Sequence, residues 1–350
     1  MSTLRRLPVT HPSGQYDVII GADLLSRVRQ LANIDGPIAL VTDSNVGPLY
    51  ADQLGAVDCL VTIPAGESYK TLASIRLIYD AMFAAGLDRK CTVVALGGGV
   101  IGDMAGFAAA TYMRGVNFVQ CPTSLLAMVD AGVGGKTGVD MPQGKNLVGA
   151  FKQPTAVLAD INTLHTLPPA ELAAGMAEVV KHGLISAPGL FERVANGTWQ
   201  AASGAYGSLV YEAVQVKRDV VQEDPFEQGR RATLNLGHTF GHAVEQVSQF
   251  AVRHGEGVAM GLVAAAHLSA KLGHCSPDLQ TRIEAALRQC QLPTRIPANL
   301  PSDALFNAMG TDKKKAAGKL RFVLMRDIGN VFVTGDVAKT AVLETLATIR

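Results

Sequence analysis

The fold of this chain is decided by the stretch Cys91-Thr92-Val93-Val94-Ala95-Leu96-Gly97-Gly98-Gly99-Val100-Ile101-Gly102-Asp103. Its first six residues predict a buried strand, and a helical pattern opens directly after the three consecutive glycines. Gly97, Gly99 and Gly102 fit the pattern G-x-G-x-x-G, in which a phosphate can approach the bare backbone at a helix N-terminus. The stretch therefore predicts a dinucleotide-binding turn. The alternative is a tight strand-to-helix turn that binds nothing.

The glycine turn departs from the usual dinucleotide fingerprint in two respects. It follows several strand–helix units rather than the first one, and no acidic residue ends a strand about 20 residues later. Asp43, at the end of an earlier predicted strand, is the alternative ligand for a ribose.

Apolar runs and helical patterns divide the chain into two halves. The first half alternates short buried runs with helical spacing, which predicts parallel βαβ units; strands are expected at 16–21, 37–43, 59–64, 91–96 and 117–122, and a helix at 71–85. From about Pro168 the apolar residues recur every three or four positions, which predicts helices at 169–184, 205–223, 240–247, 258–272, 279–290 and 302–309, and a hairpin at 320–324 and 331–333. We expect an α/β, Rossmann-like, dinucleotide-binding domain over 1–160 and a mainly α-helical, metal- and substrate-binding domain over 161–350.

Composition excludes several classes of protein. The 350 residues are 48% hydrophobic and 17% charged, which suits a sizeable core, and the net charge of +1 does not argue for a nucleic-acid surface. No uninterrupted run of 18 apolar residues predicts a membrane span, and residues 1–9 lack the apolar run of a secretory signal. Five scattered cysteines without a CxxC pair predict reduced thiols in a cytoplasmic protein.

Three segments, 174–183, 234–242 and 254–256, together offer a carboxylate and imidazoles to one divalent metal ion. A carboxylate and two imidazoles with an open fourth position form the ligand set of a catalytic zinc. Each segment also has a plain alternative: solvated helix charges, a surface pair of histidines, and a capping turn. Taken together, the three segments favour the metal site.

Residues 130–137 resemble the end of a Walker A loop, but Asp130 stands where that loop needs glycine and no strand directly precedes it. We favour a glycine-rich turn that places Lys136 on a substrate oxygen, with Lys145 and Asn146 adding polar groups nearby. Other cations are open to a solvated interpretation: Arg114 at the end of a helix, and Lys217, Arg218, Arg230 and Arg231 around a helix and the strand-like run 232–234.

In these motifs the chain resembles the 3-dehydroquinate synthase family, which belongs to the sugar phosphate cyclases and acts in the shikimate pathway. The resemblance runs from Asp43 to the lysine cluster 313–315, through matching segments at 64–70, 97–103, 112–115, 134–137, 144–146, 174–183, 231–245 and 312–314. It implies conversion of 3-deoxy-D-arabino-heptulosonate 7-phosphate to 3-dehydroquinate and phosphate. The steps are transient oxidation by NAD, phosphate elimination, re-reduction, ring opening and an intramolecular aldol reaction.

The resemblance also implies the site residues of a cytoplasmic homodimer that binds NAD and Zn²⁺ or Co²⁺, a small sugar phosphate, and neither nucleic acid nor membrane. The metal ligands are Glu178, His238 and His254. The NAD residues are Asp43, Asn45, Glu67, Lys70, Gly98, Gly99, Asp103, Thr123, Ser124, Lys145, Thr166, Leu167 and Glu171. The substrate and phosphate residues are Arg114, Lys136, Lys145, Asn146, Lys217, Arg231, Asn235, His242 and Lys314, with Arg114 reaching across the dimer and Lys314 chosen by register. The catalytic residues are Lys136, Lys181, His242, Asn146 and Asp130.

Three other functions compete with this interpretation. Another sugar phosphate cyclase would share much of the pattern and differ in substrate. A metal-dependent polyol or alcohol dehydrogenase of the glycerol-dehydrogenase kind would share the glycine turn and the metal ligands, but it would leave the predicted phosphate pocket without a role. A non-catalytic dinucleotide-binding regulator would not need the metal ligands and the acid–base groups together.

Overall fold

The structure, a computed structural model, describes residues 4–201, 205–311 and 320–350. The chain divides into two compact units after Pro168. The expected boundary was residue 160. The last strand of the first unit's sheet spans Ala156–Asp160 and lies between two earlier strands, so the chain leaves this unit only after the turn that follows.

The first unit contains nine strands and four α-helices among its described residues. The strands are β1 Arg5–His11, β2 Gly14–Gly21, β3 Ile38–Asp43, β4 Cys59–Ile63, β5 Thr92–Gly97, β6 Asn117–Pro122, β7 Lys136–Met141, β8 Gly144–Phe151 and β9 Ala156–Asp160. The helices are α1 Val28–Leu31, α2 Gly47–Tyr50, α3 Leu72–Ala84 and α4 Gly99–Thr111. The five strands and the helix predicted for this half are confirmed; β1, β7, β8 and β9 were not predicted.

Seven of these strands form one sheet in the order β4-β3-β5-β6-β9-β2-β1, in which only the pair β1–β2 is antiparallel. The predicted α/β class with a mainly parallel sheet is therefore confirmed. Every residue of β3 and β5 is buried, because one face packs on α3 and α4 and the other on α1 and α2. The strand order reverses between β3 and β5, which in such sheets marks the ligand-binding crevice. Strands β7 and β8 form a separate antiparallel hairpin.

The second unit is mainly helical, as predicted. Its helices are α5 Pro169–Ser186, α6 Pro188–Ala195, α7 Ala205–Glu223, α8 His238–Val247, α9 His254–Lys271, α10 Pro277–Gln289, α11 Ser302–Thr311 and α12 Lys339–Thr348. The predicted hairpin is present as β10 Phe322–Asp327 and β11 Asn330–Thr334.

Two local expectations for the second unit are wrong. Residues 232–234 were expected to be strand-like, but they lie in a 3₁₀ helix over Arg230–Asn235, whose backbone is closed by a bond from Ala232 N to Gly229 O. His254 was expected in a turn before the next helix, but it is the first residue of α9, where Arg253 and Glu256 form the cap.

No helix in the described ranges is long and apolar enough to cross a membrane.

Candidate active site

The candidate NAD residues of the first unit follow the carboxyl ends of the parallel strands. Because those ends meet at one edge of a sheet, residues far apart in sequence share one location. The residues are Asp43 at the end of β3 and Asn45 after it, Glu67 and Lys70 after β4, Gly98 and Gly99 after β5, Thr123 and Ser124 after β6, and Thr166 and Leu167 after β9 and its 3₁₀ turn.

The glycines of the turn after β5 serve two different purposes. A side chain at Gly97 would meet Ile101 at 2.8 Å, and one at Gly102 would meet Gln120 Oε1 at 2.6 Å, so these glycines let α4 pack closely. A Cβ at Gly98 would meet Ser124 Oγ at 3.6 Å and, beyond its own helix and chain neighbours, no other described atom within 4 Å. Gly98 thus leaves open backbone at the start of α4, which is the feature that a pyrophosphate requires.

Asp43 holds the loop that contains Asn45. Its Oδ1 accepts hydrogen bonds from Asn45 N at 2.8 Å and Val46 N at 2.9 Å. The Asp43 side chain is buried, and its two hydrogen bonds hold the backbone of the loop at the end of β3.

Lys70 joins two of the predicted residue sets. Its buried ammonium lies 2.6 Å from Asp103 Oδ2 and 2.6 Å from Asn146 Oδ1. Burial alone would lower the pKa of Lys70, but the charge and hydrogen bond of Asp103, together with the charges of Glu67 and Asp140, outweigh burial and raise that pKa. Lys70 is therefore a charged lysine that contacts a candidate NAD residue and a candidate substrate residue.

The tip of the β7–β8 hairpin carries Lys145 and Asn146. Lys145 Nζ lies 3.4 Å from Glu67 Oε1. Asn146 has a positive φ of 53° and is held by a bond from its backbone N to Asp140 Oδ1 at 2.8 Å. The structure thus brings the hairpin tip against Glu67 and Lys70.

The other candidate residues of the first unit lie in or next to short turns and helical segments. Gly134 and Gly135, with φ of 102° and 69°, form the predicted glycine turn, and exposed Lys136 follows as the first residue of β7. Asp130 is half-buried in a short π-helical segment, Ala127–Ala131. Arg114 is exposed in the 3₁₀ turn after α4, and its backbone is in the left-handed region, with a φ of 69°.

Three helices of the second unit bring the predicted metal ligands together. Glu178 lies on α5, His238 begins α8 and His254 begins α9, and one ligand atom from each lies within 4.8 Å of the other two. Glu178 Oε1 is 3.7 Å from His238 Nε2 and 3.5 Å from His254 Nε2. These distances leave room for one ion at the centre of the triangle, and two imidazoles with a carboxylate suit Zn²⁺ or Co²⁺.

Glycines explain why these helices approach so closely. A Cβ at Gly255 would lie 2.3 Å from Ala174 Cα, where α9 meets α5. A Cβ at Gly261 would lie 2.0 Å from Gly237 O, and one at Gly241 would lie 2.8 Å from Gly257 O, where α9 meets α8. The backbones touch at these points, and this contact sets the spacing of the metal ligands.

The two imidazoles have different partners at Nδ1, although each directs Nε2 toward Glu178. His238 Nδ1 lies 3.2 Å from Leu236 O, and His254 Nδ1 lies 2.9 Å from Glu245 Oε1. Burial, and next the nearby Lys181 charge, hold the pKa of His238 well below its usual range, so this ring is neutral. Burial would lower the pKa of His254 too, but hydrogen bonds with Glu178 and Glu245 raise it to about 10. Metal binding at His254 must therefore displace a proton.

The ammonium of Lys181 contacts the Glu178 carboxylate one turn away on α5, and both side chains are fully buried. Charged side chains on such a helix are usually solvated, and that alternative is wrong here. His242 is exposed on α8, with its ring 5.2 Å from that of His238. Lys181 and His242 thus border the metal ligands from two helices.

The 3₁₀ helix before α8 carries further candidate substrate residues. Arg231 is buried and donates from Nη1 to Pro225 O at 2.6 Å, while Asn235 donates from Nδ2 to Glu227 Oε1 at 3.1 Å. Lys217 is buried on α7, which packs against this 3₁₀ helix.

Asp224 organises the loop that leads to this 3₁₀ helix. Its carboxylate accepts backbone bonds from Gln228 at 2.9 Å, Gly229 at 2.7 Å and Arg231 at 2.9 Å. Burial would raise the pKa of Asp224, but these hydrogen bonds lower it below its ordinary value of 3.8.

Glu171 begins the second unit rather than following a strand of the first. It is exposed on the first turn of α5 and pairs with Arg253, Oε1 to Nε at 3.3 Å. Lys314 lies outside the described residues.

Sequence reasoning missed three acidic residues at this site: Asp224, Glu227 and Glu245. Only Glu245 carried a usable signal, because positions 238, 242 and 245 share one face of a helix. The loop from Asp224 to Glu227 shows no periodicity that could have pointed to it.

Comparison with known families places the motifs in context. A family profile described as the 3-dehydroquinate synthase N-terminal region matches residues 60–174, and one described as the C-terminal region matches residues 175–315. The chain is 48% identical to a 3-dehydroquinate synthase of Halorhodospira halophila over 339 residues, covering 95% of this chain and 96% of that one. It is 45% identical to that of Synechococcus sp. over 363 residues, covering 98% of each.

Solved structures give the same grouping. A 2-epi-5-epi-valiolone synthase from Streptomyces hygroscopicus, with NAD⁺ and Zn²⁺ bound, superposes with a TM-score of 0.88 at 30% identity, covering 95% of this chain and 96% of that one. A 2-deoxy-scyllo-inosose synthase with carbaglucose-6-phosphate, NAD⁺ and Co²⁺ gives 0.87 at 25% identity, covering 99% and 100%. A probable glycerol dehydrogenase from Sinorhizobium meliloti shares the fold at 0.67 and 14% identity, covering 94% of each chain.

Proposed function

Because the chain belongs to the 3-dehydroquinate synthase family, we propose that its glycine turn holds NAD and that Glu178, His238 and His254 hold the catalytic metal. The protein is an NAD- and metal-dependent lyase that converts 3-deoxy-D-arabino-heptulosonate 7-phosphate to 3-dehydroquinate and phosphate. The observation that carries the residue assignment is the convergence of the three ligand atoms within 4.8 Å.

NAD held at the glycine turn would supply reversible hydride transfer at C5 of the substrate, and a metal held by Glu178, His238 and His254 would supply Lewis-acid chemistry at the neighbouring hydroxyls. The protein's own groups then have three tasks: holding the sugar oxygens, holding the phosphate, and excluding water from reactive intermediates.

Lys181, Asn235 and His242 hold the sugar oxygens in this proposal. Lys181 is a buried ammonium beside Glu178, so it meets developing negative charge where water does not screen it. Asn235 is oriented by Glu227, and His242 presents an exposed imidazole beside His238. Asp130, Lys136 and Asn146 complete the catalytic set from the first unit.

Cations hold the phosphate until it departs. Arginine and lysine form charge-assisted hydrogen bonds to phosphate, each worth about 1.5–3 kcal/mol. We assign this role to Arg114, Lys136, Lys145, Lys217, Arg231 and, outside the described residues, Lys314, with the Asn146 amide as a neutral donor.

Two further assignments accompany this function. We assign a homodimer in which Arg114 serves the partner's phosphate site; its support is that the residue is exposed and projects from a left-handed turn. We assign a cytoplasmic location on the support of five free thiols, Cys59, Cys91, Cys121, Cys275 and Cys290.

One assay tests the reaction against both enzyme alternatives. The protein is incubated with the heptulosonate phosphate and a trace of NAD, while phosphate release and absorbance of reduced nicotinamide are followed together. We expect phosphate to rise with substrate loss while free NADH stays near zero, because oxidation and re-reduction cancel within one turnover.

Two results would contradict the proposal. NADH that accumulates one-for-one with substrate loss, without phosphate release, would indicate a polyol dehydrogenase. No turnover of the heptulosonate phosphate, combined with phosphate release from another sugar phosphate, would indicate a different cyclase.

A further inference from the structure

Glu245 is a buried carboxylate that has no role in the mechanism above. It lies on α8, seven residues after His238, and it is 5% exposed. Its Oε1 lies 2.9 Å from Nδ1 of His254 on α9. Removing a carboxylate from water costs several kcal/mol unless the charge is compensated, so a glutamate at this position calls for an explanation.

Gly257 lies directly against the Glu245 side chain and leaves it room. A Cβ at Gly257 would lie 3.3 Å from Glu245 Cγ and 3.4 Å from its Oε1. Gly257 is one turn beyond His254 on α9. The carboxylate thus lies in a notch between the two helices, directly behind the imidazole.

The contact fixes which nitrogen of His254 faces the metal position. The carboxylate accepts a hydrogen bond from Nδ1–H, and Nε2 lies 3.5 Å from Glu178 Oε1. His238 differs in that its Nδ1 meets the neutral carbonyl of Leu236. Of the two partners, only the carboxylate adds a full negative charge to the ring that it orients, and such partners tune metal affinity.

We propose that Glu245 is a positioning residue: it holds His254 in the tautomer and orientation that bind the metal, and with Glu178 it balances the charge of a divalent ion. The inference rests on the metal site proposed above. The competing role is direct ligation, since His242, Glu245 and His254 also offer atoms within 4.8 Å of one another. Against that role, Glu245 engages Nδ1, whereas the nitrogen that approaches Glu178 is Nε2.

The experiment compares Glu245→Gln with Glu256→Gln. Glu256 lies two residues from His254, and its carboxylate binds Arg253, so its replacement removes the same charge without touching the ring. For each variant, the dissociation constant of Zn²⁺ is measured by competition with a chromophoric chelator, and the visible spectrum of the Co²⁺-substituted protein is recorded. Glu178→Gln serves as the variant that lacks a proposed ligand.

We expect Glu245→Gln to bind one Zn²⁺ about 10- to 100-fold more weakly than the wild type and to shift the Co²⁺ bands. Glu256→Gln should leave both the affinity and the bands unchanged. A purely structural role of Glu245 would change the thermal stability of the metal-free protein without moving the Co²⁺ bands.

Three results would overturn the inference. Equal Zn²⁺ affinities and Co²⁺ spectra for Glu245→Gln and Glu256→Gln would show that Glu245 does not position a metal ligand. Complete loss of metal in Glu245→Gln, as in Glu178→Gln, would make Glu245 a ligand. Wild-type affinity in Glu178→Gln would overturn the metal site itself, which is a separate failure from that of Glu245.

Discussion

The nucleotide region and the metal centre use glycine in opposite ways. At Gly98 the missing side chain leaves open backbone, and a Cβ would meet little beyond Ser124 Oγ at 3.6 Å. At Gly255 and Gly261 the missing side chains let helices touch, and a Cβ would lie 2.3 and 2.0 Å from neighbouring backbone. The same substitution should therefore impair ligand binding in one region and the packing of the protein in the other.

The two regions also place their charges differently. The charged candidate NAD residues come from several strand ends and range from exposed Glu67 to buried Lys70, whereas Glu178 and Lys181 are both fully buried within one helix. A region assembled from strand ends can lose one contact and keep its shape. A centre assembled from buried charge cannot lose one partner without leaving the other uncompensated.

The strongest test of this difference is Glu178→Gln. The change removes the carboxylate that compensates the buried Lys181 ammonium, so the metal-free protein should lose about 3–5 kcal/mol in free energy of unfolding. Metal binding and turnover should be lost with it. Urea denaturation and elemental analysis measure the two effects.

The matched control for Glu178→Gln is Glu344→Gln. Glu344 pairs with Lys271 at 2.6 Å but its side chain is 61% exposed, so this variant should lose less than about 1 kcal/mol. Equal losses in the two variants would show that burial does not distinguish the metal centre.

The second test places a methyl group between two helices of the metal centre. In Gly261→Ala the new Cβ would lie 2.0 Å from Gly237 O, directly before His238. Overpacking of this kind costs about 1–3 kcal/mol, and Zn²⁺ should bind more weakly because α8 and α9 must separate. Gly189→Ala is the control, since a Cβ there meets nothing within 4 Å. A Gly261→Ala variant as stable as Gly189→Ala, with wild-type metal affinity, would contradict the glycine argument.

The third test applies the same substitution to the nucleotide region. Gly98→Ala should change the free energy of unfolding by less than about 0.5 kcal/mol, because the position is open. Its dissociation constant for NAD should rise about tenfold or more, equivalent to about 1.4 kcal/mol, because the methyl group occupies the approach of the pyrophosphate. Calorimetric titration with NAD measures the affinity. A wild-type dissociation constant for NAD in Gly98→Ala would mean that the turn after β5 only connects the strand to the helix and does not bind a phosphate.

The smallest effect concerns Asp224, a partly exposed carboxylate that organises its own loop. Because its pKa is lowered in the folded protein, its contribution to stability is present above the unfolded value of 3.8 and is lost as pH falls through the folded pKa. Asp224→Asn should thus destabilise the protein at pH ~6 by less than about 1 kcal/mol, and this difference should vanish at a pH below the folded pKa. A difference that stays constant with pH would show that the carboxylate charge does not contribute.

Periodicity in the sequence predicted the elements whose hydrophobic pattern runs from end to end without interruption. The strand over 117–122 and the helix over 205–223 have the predicted bounds, since each is an unbroken run with one pattern. The hairpin Lys136–Met141 and Gly144–Phe151 was missed because its second strand is mostly exposed and interrupted by glycine. The 3₁₀ helix Arg230–Asn235 was predicted as a strand because the short run of Ala, Thr and Leu in its middle is typical of strands.

The residue types of the metal centre could be predicted from sequence, but their geometry could not. Spacing placed His238 and His242 on one helix face, whereas the approach of α5, α8 and α9 depends on backbone contacts at Gly255 and Gly261. Glu245 was missed because a glutamate on a helix is usually solvated. The spacing of positions 238, 242 and 245 places Glu245 on the helix face of the two histidines, but packing between helices decides that this glutamate is buried.

The contact of Lys70 with both Asp103 and Asn146 has a thermodynamic consequence. A ligand that draws Asn146 away from the ammonium changes the environment of Lys70 and hence the affinity at the neighbouring site. Linkage requires the effect to be reciprocal: whatever factor one ligand applies to the affinity of the second, the second applies to the first. Lys70 can thus couple the two binding events, so that joint occupancy is more or less favourable than the sum of the two separate binding free energies.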